Sequence, residues 1–480
     1  MERGFVSNSD SQMRRTLLIA YYFPPIAATG GMRPLNFCRH LASYGWAPKV
    51  LATDHGSALP PHAVDRKLLD RVPPDVEVIR VPHPNPIGRL LGFRERFRQL
   101  LTQGRTSSPN MVAGSPVCSQ ESAKEPTSSV RACLRFLTEA LLEFPDPQCH
   151  WYRPAVRALA NMPAQERPHV IWATGGPWTS LLVGKRLAEE FNIPFIADFR
   201  DPWIGGYEFF SSKLLHKKAK SLERGVCAVA ARIILNTEEL RLRFCSVYPE
   251  WEHKFVTITN GYAEELRPAA PSQGNRGTIA RTEGGDAPTL ELCHFGTVYG
   301  NRSPIALFRA IQELLAEGMV KASRLRLRFV GAWDVNDSDC TQLAKTFEER
   351  GILRLVPPVP HQECLQEMAR ADVLLILQPD YPLQVPAKIY EYIVAGRPLL
   401  VIGGEGATAN LVQRHRLGRC CPNTVQDIKR TLVSILLSES ALCAPTPEDT
   451  EQFSYRALSG RLAELLDHVC EERQGSRNRK

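Results

Sequence analysis

The feature that most constrains the fold of this chain is an alternation of short apolar runs and helical patterns, found on both sides of one patternless segment. The first series of apolar runs starts at Leu17–Tyr22, and the second starts at Glu291–Phe295. Between the two series, residues 266–288 are rich in Pro, Gly and Ser and show no hydrophobic period, which is typical of a linker. Strands that alternate with helices predict parallel sheets. The chain is therefore predicted to fold as two α/β halves that flank one cleft.

Length and composition limit the classes of protein to which the chain can belong. Its 480 residues are enough for two or three domains with cores that fold without covalent staples. The formal net charge of +8 favours anionic partners such as nucleotide phosphates or an acidic membrane surface. The sequence contains no zinc-finger motif, no RNP-type motif and no long Lys/Arg run, so nucleic acid is not an expected partner.

Cysteine usage and hydropathy predict where the chain is located. The 13 cysteines are scattered, and no two of them form a C-x-x-C pair. This pattern is expected of free thiols in a reducing cytoplasm. No run approaches the roughly 20 apolar residues that a membrane-spanning helix needs. The expected location is therefore the cytoplasm.

The stretch Pro386–Gly406, PAKIYEYIVAGRPLLVIGGEG, carries the strongest indication of a ligand site. Lys388 and Glu391 lie three residues apart among apolar residues, a spacing that predicts a helix with its apolar side on its own domain and its polar side on a cleft. Leu399–Ile402 is predicted to be a buried strand. A charged helix beside a Gly-rich loop at a strand's carboxyl end is typical of a ligand site in an open α/β sheet. An ordinary surface helix with a glycine cap is the alternative.

The same stretch resembles the donor-binding helix of GT-B glycosyltransferases, in particular the retaining enzymes of glycosyltransferase family four. Glu391–Pro398 matches the family form E-A/Y-x-A-x-G-x-P, in which the acidic residue holds the ribose of a sugar nucleotide. Pro386 and Lys388 match a branch of the family that carries P-x-K-x-x-E-Y. Leu383 stands where many members have the first Glu of an E-x7-E pattern, so the contact of that Glu with the donor sugar is not carried over.

The opening of the chain resembles the same family. The first strand leads through YFPP into a small-residue turn, Ala27–Gly31, and then into a helix predicted at Arg33–Tyr44. The backbone N–H groups of Gly30 and Gly31 are expected to approach a phosphate, helped by the helix N-terminus behind them. Arg33 is expected to face the cleft. The turn lacks the G-x-G-x-x-G pattern, which disfavours an NAD enzyme.

Charged residues follow the strand predicted at Pro194–Ala197. They are Asp198, Arg200 and Asp201. A salt-bridged loop is one interpretation. In the family the same strand ends T-x-H-D, and alignment places Asp198 at the Thr, Arg200 at the His and Asp201 at the Asp. The resemblance implies that Arg200 serves the donor diphosphate or an anionic acceptor, and that the two aspartates lie in the acceptor side of the cleft.

Two loops of the second half also resemble the family. Gly296–Arg302 is similar to the G-R-L-x-x-x-K loop, whose two cations hold the donor diphosphate. Arg302 occupies the Lys position, but Thr297 occupies the Arg position, so Lys388 is a candidate for the second charge. Pro357–His361 resembles the loop that borders the nucleotide base. The expected catalytic residues are Arg200, Arg302 and Lys388, and the expected donor-binding residues are Gly30, Gly31, Gly296, Arg302, Lys388 and Glu391.

The resemblance implies a GT-B fold, in which two Rossmann-like domains face each other across a cleft and a C-terminal helix crosses back to the first domain. Pro-, Ser- and Thr-rich residues 106–129 are predicted to be a flexible insertion in the first domain. The expected parts are an acceptor domain at 14–265, a linker at 266–288, a donor domain at 289–450, a crossing helix at 451–470 and a loose tail at 471–480.

The implied activity is transfer of a sugar from a nucleoside-diphosphate sugar to an acceptor hydroxyl, with retention of anomeric configuration. The implied acceptor is a glycan, a lipid-linked sugar or a cell-surface polysaccharide precursor. Such chemistry requires the protein to neutralise the departing diphosphate and align the acceptor. No cofactor or metal is expected, because no D-x-D stands where it could hold a nucleotide-bound divalent ion. A nucleotide-sugar epimerase of similar fold and a non-catalytic nucleotide-sugar-binding relative are the alternatives.

One segment suggests contact with a membrane. In Arg89–Arg105 apolar residues alternate with arginines, a pattern typical of a basic amphipathic helix that lies on anionic lipid. The chain is therefore expected in the cytoplasm, with possible peripheral binding to the inner face of the membrane. A helix packed on the core, with its arginines in solvent, fits the same pattern.

Overall fold

The computed structural model describes residues 13–59, 62–84, 129–205, 210, 212–267, 289–379, 381–437, 442 and 444–477. The basic segment Arg89–Arg105 lies outside the described residues. So do nearly all of the predicted insertion and of the predicted linker.

Seven parallel strands form the sheet of the first half, in the spatial order β3-β2-β1-β4-β5-β6-β7. The central strands are continuous apolar runs because helices cover both faces of the sheet. The strands are β1 (Arg14–Ile19), β2 (Trp46–Thr53), β3 (Glu77–Val81), β4 (Val170–Gly175), β5 (Phe195–Phe199), β6 (Arg232–Leu235) and β7 (Phe255–Thr257).

Six parallel strands form the sheet of the second half, in the spatial order β12-β10-β8-β13-β14-β15. Two further strands, β9 and β11, pair with each other beside this sheet. The strands are β8 (Leu290–Phe295), β9 (Val298–Tyr299), β10 (Leu325–Val330), β11 (Trp333–Asp334), β12 (Leu353–Val356), β13 (Val373–Gln378), β14 (Leu399–Gly403) and β15 (Gly418–Cys421).

Helices connect the strands and cover the sheets, as parallel pairing requires. The helices of the first half are α1 (Thr29–Leu41), α2 (Ser129–Leu142), α3 (Tyr152–Leu159), α4 (Thr179–Phe191), α5 (Lys213–Val229) and α6 (Glu238–Val247). The later helices are α7 (Ile305–Ala316), α8 (Ser338–Glu349), α9 (His361–Arg370), α10 (Lys388–Val394), α11 (Ala407–Arg414), α12 (Val425–Leu437), α13 (Pro447–Glu451) and α14 (Tyr455–Arg477).

The last helix, α14, packs on the first half, which confirms the predicted crossing. The indole Nε1 of Trp46 donates a hydrogen bond of 3.0 Å to Asp467 Oδ1, so the contact includes a polar anchor. Burial of apolar side chains on both sides supplies the main stabilisation. The apolar cluster between α14 and the first half includes the side chains of Leu35, Phe37, Leu458, Leu462 and Leu466.

The predicted loose tail at 471–480 is wrong for its first part, because α14 continues to Arg477. A reason is visible at Glu472, whose Oε1 accepts a hydrogen bond of 2.6 Å from Nη2 of Arg232 at the start of β6. This ion pair joins the helical turns beyond residue 470 to the first half.

Several element boundaries in the first half differ from the sequence prediction, and two of the differences concern predicted site residues. Helix α1 starts at Thr29, so Gly30 and Gly31 lie in its first turn and not in a preceding loop. A Cβ atom at Gly31 would stand 3.3 Å from the carbonyl oxygen of Tyr22, so glycine lets the helix start close to the chain that leaves β1. Strand β5 extends to Phe199, which places Asp198 inside the strand.

Arg33 and Asp198 form a buried ion pair beneath the cleft. Nε of Arg33 lies 2.9 Å from Asp198 Oδ2, and Nη2 lies 3.0 Å from Oδ1. The same guanidinium donates to the carbonyl oxygens of Ile258 at 2.9 Å and Thr259 at 2.6 Å. The two charged side chains are 2% and 0% exposed. One side chain thus joins α1, β5 and the segment that leaves β7.

We expect Asp198→Ala to lower the free energy of unfolding by about 3–5 kcal/mol, because it leaves the charge of Arg33 buried without its counterion. The control is Glu189→Ala, which removes an exposed pair with Lys185 at 2.9 Å and should cost at most about 0.5 kcal/mol. Urea unfolding of both variants measures the difference. Equal losses in the two variants would contradict a structural role for the buried pair.

Candidate functional site

A cleft of about 1420 Å³ lies between the two halves, beyond the carboxyl ends of the strands. This is where open α/β sheets bind ligands. Three residues of the predicted site, Gly31, Asp198 and Gly296, are not among those that line the cleft. The residues of the predicted site that line it are Gly30, Arg33, Arg200, Asp201, Arg302, Lys388 and Glu391.

Helix α10 places Lys388 and Glu391 on the cleft, as their spacing predicts. The opposite side of the helix is buried against the second half, where Ile389 and Tyr392 are fully covered. The hydroxyl of Tyr392 accepts a hydrogen bond of 2.7 Å from the backbone N–H of Phe295, at the end of β8. This bond fixes the short helix against the sheet and therefore fixes the position of its polar side.

The ammonium of Lys388 is held at the end of β8. Its Nζ lies 3.2 Å from Nε2 of His294 and 3.2 Å from the carbonyl oxygen of Phe295. Burial lowers the pKa of Lys388 to about 8, and the charge of Arg302 acts in the same direction. Lys388 is therefore still cationic at neutral pH, in a place where an anion would be strongly favoured.

His294 is a neutral acceptor for Lys388, and the sequence did not identify it. Its Nδ1 lies 3.0 Å from the carbonyl oxygen of Leu375. Because a carbonyl oxygen only accepts, Nδ1 carries the proton and Nε2 accepts from the ammonium. Burial and the charge of Lys388 hold the pKa of His294 well below its usual value. The available signal was a histidine inside the apolar run Glu291–Phe295, where a buried polar side chain needs partners.

Gly296 makes room for Lys388. Its φ of +115° is in a region that side chains disfavour, and a Cβ atom there would stand 3.2 Å from Nζ of Lys388. The backbone N–H of Gly296 donates to the carbonyl oxygen of Val330 at 2.8 Å. This N–H is therefore used within the second half. The glycine serves the site by leaving space.

Arg302 is held over two aromatic rings. Its Cζ lies 5.3 Å from the ring centre of Tyr299 and 5.5 Å from that of Tyr381, within the range of a cation–π contact. Its Nε is buried and has no hydrogen-bond partner within the described part of the chain. Because contacts with ring faces position this guanidinium, its N–H groups can still donate to a planar or tetrahedral anion.

Glu391, on the polar face of α10, contacts His361. Oε1 of Glu391 lies 3.0 Å from Nε2 of His361, the first residue of α9. The hydrogen bond with Glu391 raises the pKa of His361. Both side chains line the cleft, so the second half presents a cation and a carboxylate three residues apart in the first turn of α10.

On the first half, Arg200 is fixed against the wall of the cleft. Its Nε donates to the carbonyl oxygen of Gly175 at 2.8 Å, and its Nη2 donates to that of Gly176. Burial lowers the pKa of Arg200. A Cβ atom at Gly30 would stand 2.5 Å from Nη1 of Arg200. Gly30 therefore makes room for this guanidinium, whereas the sequence had suggested a phosphate-binding loop.

Of the remaining residues predicted for the first half, Gly31 and Asp198 lie outside the lining of the cleft, and Arg33 lines it with its donors already engaged. Asp198 is buried and paired with Arg33, whose donors are used by that carboxylate and by backbone carbonyls. The N–H of Gly31 donates to the carbonyl oxygen of Ala28 at 2.8 Å. Arg200, Asp201 and Arg33 therefore line the cleft on the side of the first half, whereas Asp198 does not.

Asp146 also lines the cleft and was not identified from the sequence, where Pro145-Asp146-Pro147 only marked the end of a helix. Its Oδ2 accepts from the N–H of Thr179 at 2.8 Å, and its Oδ1 accepts from the Thr179 hydroxyl at 2.7 Å and from the N–H of Gln148 at 3.0 Å. Burial raises the pKa of Asp146 to about 6. Both oxygens are thus engaged in holding the start of α4.

Hydrogen bonds cross the cleft near Leu383, the position where many family members have a donor-sugar Glu. Nε2 of Gln384 donates to Asp201 Oδ1 at 2.9 Å, and the Thr237 hydroxyl donates to the carbonyl oxygen of Leu383 at 2.8 Å. The side chain of Leu383 packs on the core of the first half. This segment therefore joins the two halves here.

A third cross-cleft bond lies nearby, where Nδ2 of Asn410 donates to Glu239 Oε1 at 2.8 Å.

Within the described part of the chain, no group of three or more His, Cys, Asp and Glu side chains is arranged to hold a metal ion. No helix of that part combines the length and the apolarity that crossing a membrane requires.

Comparison with known proteins gives one sequence relative. No known family model matches the chain. A curated D-inositol 3-phosphate glycosyltransferase of Kineococcus radiotolerans is 27% identical over 158 residues, which are 32% of this chain and 36% of that protein. The match thus spans about a third of the length of the relative.

Solved structures resemble the whole chain. Sucrose-phosphate synthase of Thermosynechococcus elongatus has a TM-score of 0.58 and 14% identity, covering 95% of this chain and 99% of that one. The N-terminal domain of trehalose-6-phosphate phosphatase of Candida albicans has a TM-score of 0.59 and 12% identity, covering 98% and 99%. HepE of Anabaena in complex with UDP has a TM-score of 0.52 and 14% identity, covering 98% and 100%. The chain has the GT-B fold.

We expect the double variant Gln384→Ala/Asn410→Ala to loosen the closed cleft. Each lost hydrogen bond is worth about 0.5–1.5 kcal/mol, so amide hydrogens of residues 381–385 and of α6 should exchange on the order of tenfold faster. The control is Gln452→Ala, which removes an exposed amide bond to His415 within one half. Hydrogen-exchange mass spectrometry measures both. Unchanged exchange in the double variant would show that these bonds do not hold the halves together.

Proposed function

We propose that this chain is a glycosyltransferase that moves a sugar from a nucleoside-diphosphate sugar to an acceptor hydroxyl. The observation that carries the proposal is the placement of two cations, Lys388 and Arg302, beside the carboxylate of Glu391 on one wall of a cleft. HepE, which shares the fold, has been crystallised with UDP. The sequence relative acts, by its name, as a glycosyltransferase. The first supports the proposed donor class, and the second supports the proposed activity.

The two cations suit the step in which the donor breaks. The bond between the anomeric carbon and the diphosphate oxygen breaks, and negative charge grows on the departing diphosphate. Lys388 and Arg302 offer fixed positive charge where that negative charge develops, in a partly dehydrated site where such interactions are strong. Lys388 has a pKa lowered by burial, so a nearby anion recovers part of the free energy that burying its charge costs.

Glu391 is proposed to accept hydrogen bonds from the ribose hydroxyls of the donor. Its Oε1 is engaged by His361 at 3.0 Å, which leaves Oε2 for the ligand. A carboxylate makes stronger hydrogen bonds to hydroxyls than a neutral acceptor does. The nucleoside would then lie beside Glu391 and His361, and the diphosphate beside Lys388, which starts α10.

We propose that Arg200 and Asp201 form the acceptor wall and that the reaction retains the anomeric configuration. Two carboxylates of the cleft are already engaged: both oxygens of Asp146 accept hydrogen bonds from Thr179 and Gln148, and Asp201 Oδ1 accepts one from Gln384. This favours a route in which the acceptor proton passes to an oxygen of the departing donor phosphate while the acceptor oxygen bonds to the anomeric carbon.

The acceptor is proposed to be a glycan, a lipid-linked sugar or a cell-surface polysaccharide precursor. A cytoplasmic location with peripheral binding to the inner face of the membrane goes with this proposal. Its basis is the sequence pattern of Arg89–Arg105, since basic side chains near an anionic surface contribute about 1 kcal/mol each to binding.

We expect UDP or GDP to bind without a divalent metal, because Lys388 and Arg302 are proposed to neutralise the diphosphate. Calorimetric titration with each nucleotide, in excess EDTA and then in Mg²⁺, measures the two affinities. The expected result is binding of at least one nucleotide with similar affinity in both buffers. Loss of all binding on chelation would show that a metal ion takes part.

We expect Lys388→Ala to lower turnover about 10²-fold with a smaller effect on donor affinity, because the charge matters most as the diphosphate departs. Steady-state kinetics with the accepted donor measures both quantities. The control is Lys429→Ala, which removes a lysine of the same half that is paired with Glu313 and Glu317 at 2.8 and 2.6 Å. Normal turnover in Lys388→Ala would move the reaction elsewhere.

The role of the Lys388 charge can also be tested through the pH dependence of nucleotide affinity. Lys388 is protonated below a pKa of about 8 and loses its charge above it. Affinity for UDP or GDP should therefore fall as the pH rises from 8 to 10 in the wild type. The variant Lys388→Arg keeps its charge in this range, so its affinity should stay level. Parallel profiles in the two proteins would contradict the assignment.

A further inference from the structure

We propose that His361 is a positioning residue that holds Glu391 in the orientation needed for the ribose hydroxyls of the donor. This inference rests on the proposed function and deepens it, because it adds a residue that acts on the nucleoside through another side chain. The family resemblance placed His361 in a loop that borders the base, with no role toward Glu391.

The geometry of the pair supports this role. His361 follows Pro357–Pro360, PPVP, in which the prolines restrict the backbone torsions, and it is the first residue of α9. Its Nε2 lies 3.0 Å from Oε1 of Glu391. The contact joins α9 to α10, so a ring on a stiff segment fixes a carboxylate on a neighbouring helix.

Glu391 depends on this contact for its orientation. Within the described residues, no other side chain hydrogen-bonds its carboxylate. Glu391 is 31% exposed in its side chain, so without His361 its torsions would be restrained mainly by packing. Glutamate is among the side chains that lose most rotamer freedom when they are ordered. A carboxylate ordered in advance binds its ligand at a smaller entropic cost.

The charges around the pair favour the same arrangement. Glu391 faces His361 directly, and Arg71, which lines the cleft from the first half, is close enough to oppose protonation of the ring. Lys388, the Cys364 thiol and the Tyr392 hydroxyl are further titratable groups near Glu391. The hydrogen bond with Glu391 outweighs both burial and Arg71, so the pKa of His361 is raised. The ring therefore serves Glu391 as a donor.

The chain contains a matched pair away from the cleft. His468 and Glu472 on α14 are 3.2 Å apart, and His468 is 57% exposed, the same as His361. This pair makes the same kind of His–Glu contact outside the cleft lining, and its Glu472 is also bound by Arg232. It separates the effect of losing any exposed His–Glu contact from the effect of losing the one on the cleft.

The experiment pairs protein variants with ligand variants. Calorimetry measures the affinity of each protein for the nucleoside diphosphate that the wild type binds, UDP or GDP, and for its 2′-deoxy and 3′-deoxy counterparts. His361→Ala should weaken binding of the parent nucleotide about fivefold to tenfold, the size expected for one ordinary hydrogen bond. The same variant should weaken binding of at least one deoxy nucleotide much less. The preference for the hydroxyl, which is the difference in affinity between the parent nucleotide and that deoxy nucleotide, should therefore become smaller.

Further variants make the result specific. Glu391→Gln should shrink the same preference, and the double variant should add little to it, since both residues act on one hydroxyl contact. His361→Gln keeps an N–H donor and should retain most of the preference. His468→Ala should leave all affinities unchanged. Melting temperatures check that each variant is folded.

Two results would overturn the proposal while leaving the proposed function intact. One is that His361→Ala weakens binding of the parent nucleotide and of both deoxy nucleotides by the same factor. That result would mean that the ring contributes only contact or charge that does not depend on the ribose hydroxyls. The other is that the variant binds all of them as the wild type does. A wild type that binds neither UDP nor GDP would overturn the proposed function itself, and this inference with it.

Discussion

The buried ion pair of Arg33 and Asp198 is the interaction on which the rest of the structure depends. A guanidinium without water must use its donors within the protein, and this one uses them on β5 and on the carbonyls of Ile258 and Thr259. The segment that leaves the first sheet therefore starts from a fixed point. Just beyond it, Tyr262 exchanges backbone hydrogen bonds of 2.9 Å with Phe453 and Tyr455, so the chain leaving the first half is held beside the chain that returns.

On each wall of the cleft, a glycine leaves space for a cationic side chain. Gly30 leaves space for Arg200 on the first half, and Gly296 leaves space for Lys388 on the second. In each case the cation is then fixed by carbonyl oxygens at the end of a strand. Burial lowers the pKa of both cations. A buried cation is stabilised by a nearby anion, and at Lys388 this is the physical basis for proposing a diphosphate ligand.

The departure from the family pattern at Leu383 also has a structural counterpart. A carboxylate at this position would face the core of the first half, on which the Leu383 side chain packs. Its carbonyl oxygen and the neighbouring Gln384 instead bond across the cleft to Thr237 and Asp201. The segment that is expected to contact the donor sugar in many relatives therefore connects the two halves here. Contacts to the donor sugar must come from other residues of the cleft.

The sequence by itself determined the features that arise from local periodicity: two α/β halves, most strands to within a few residues, and a helix that presents Lys388 and Glu391 on one face. These follow from side-chain spacing along one element, which needs no knowledge of partners. Only the tertiary structure decided that Gly30 serves Arg200 and that His361 contacts Glu391. Such roles depend on pairs that lie far apart in the chain, 170 residues in the first case (200 − 30) and 30 in the second. A linear pattern does not encode which distant side chain fills a space or satisfies a charge, because packing makes that choice when the elements meet.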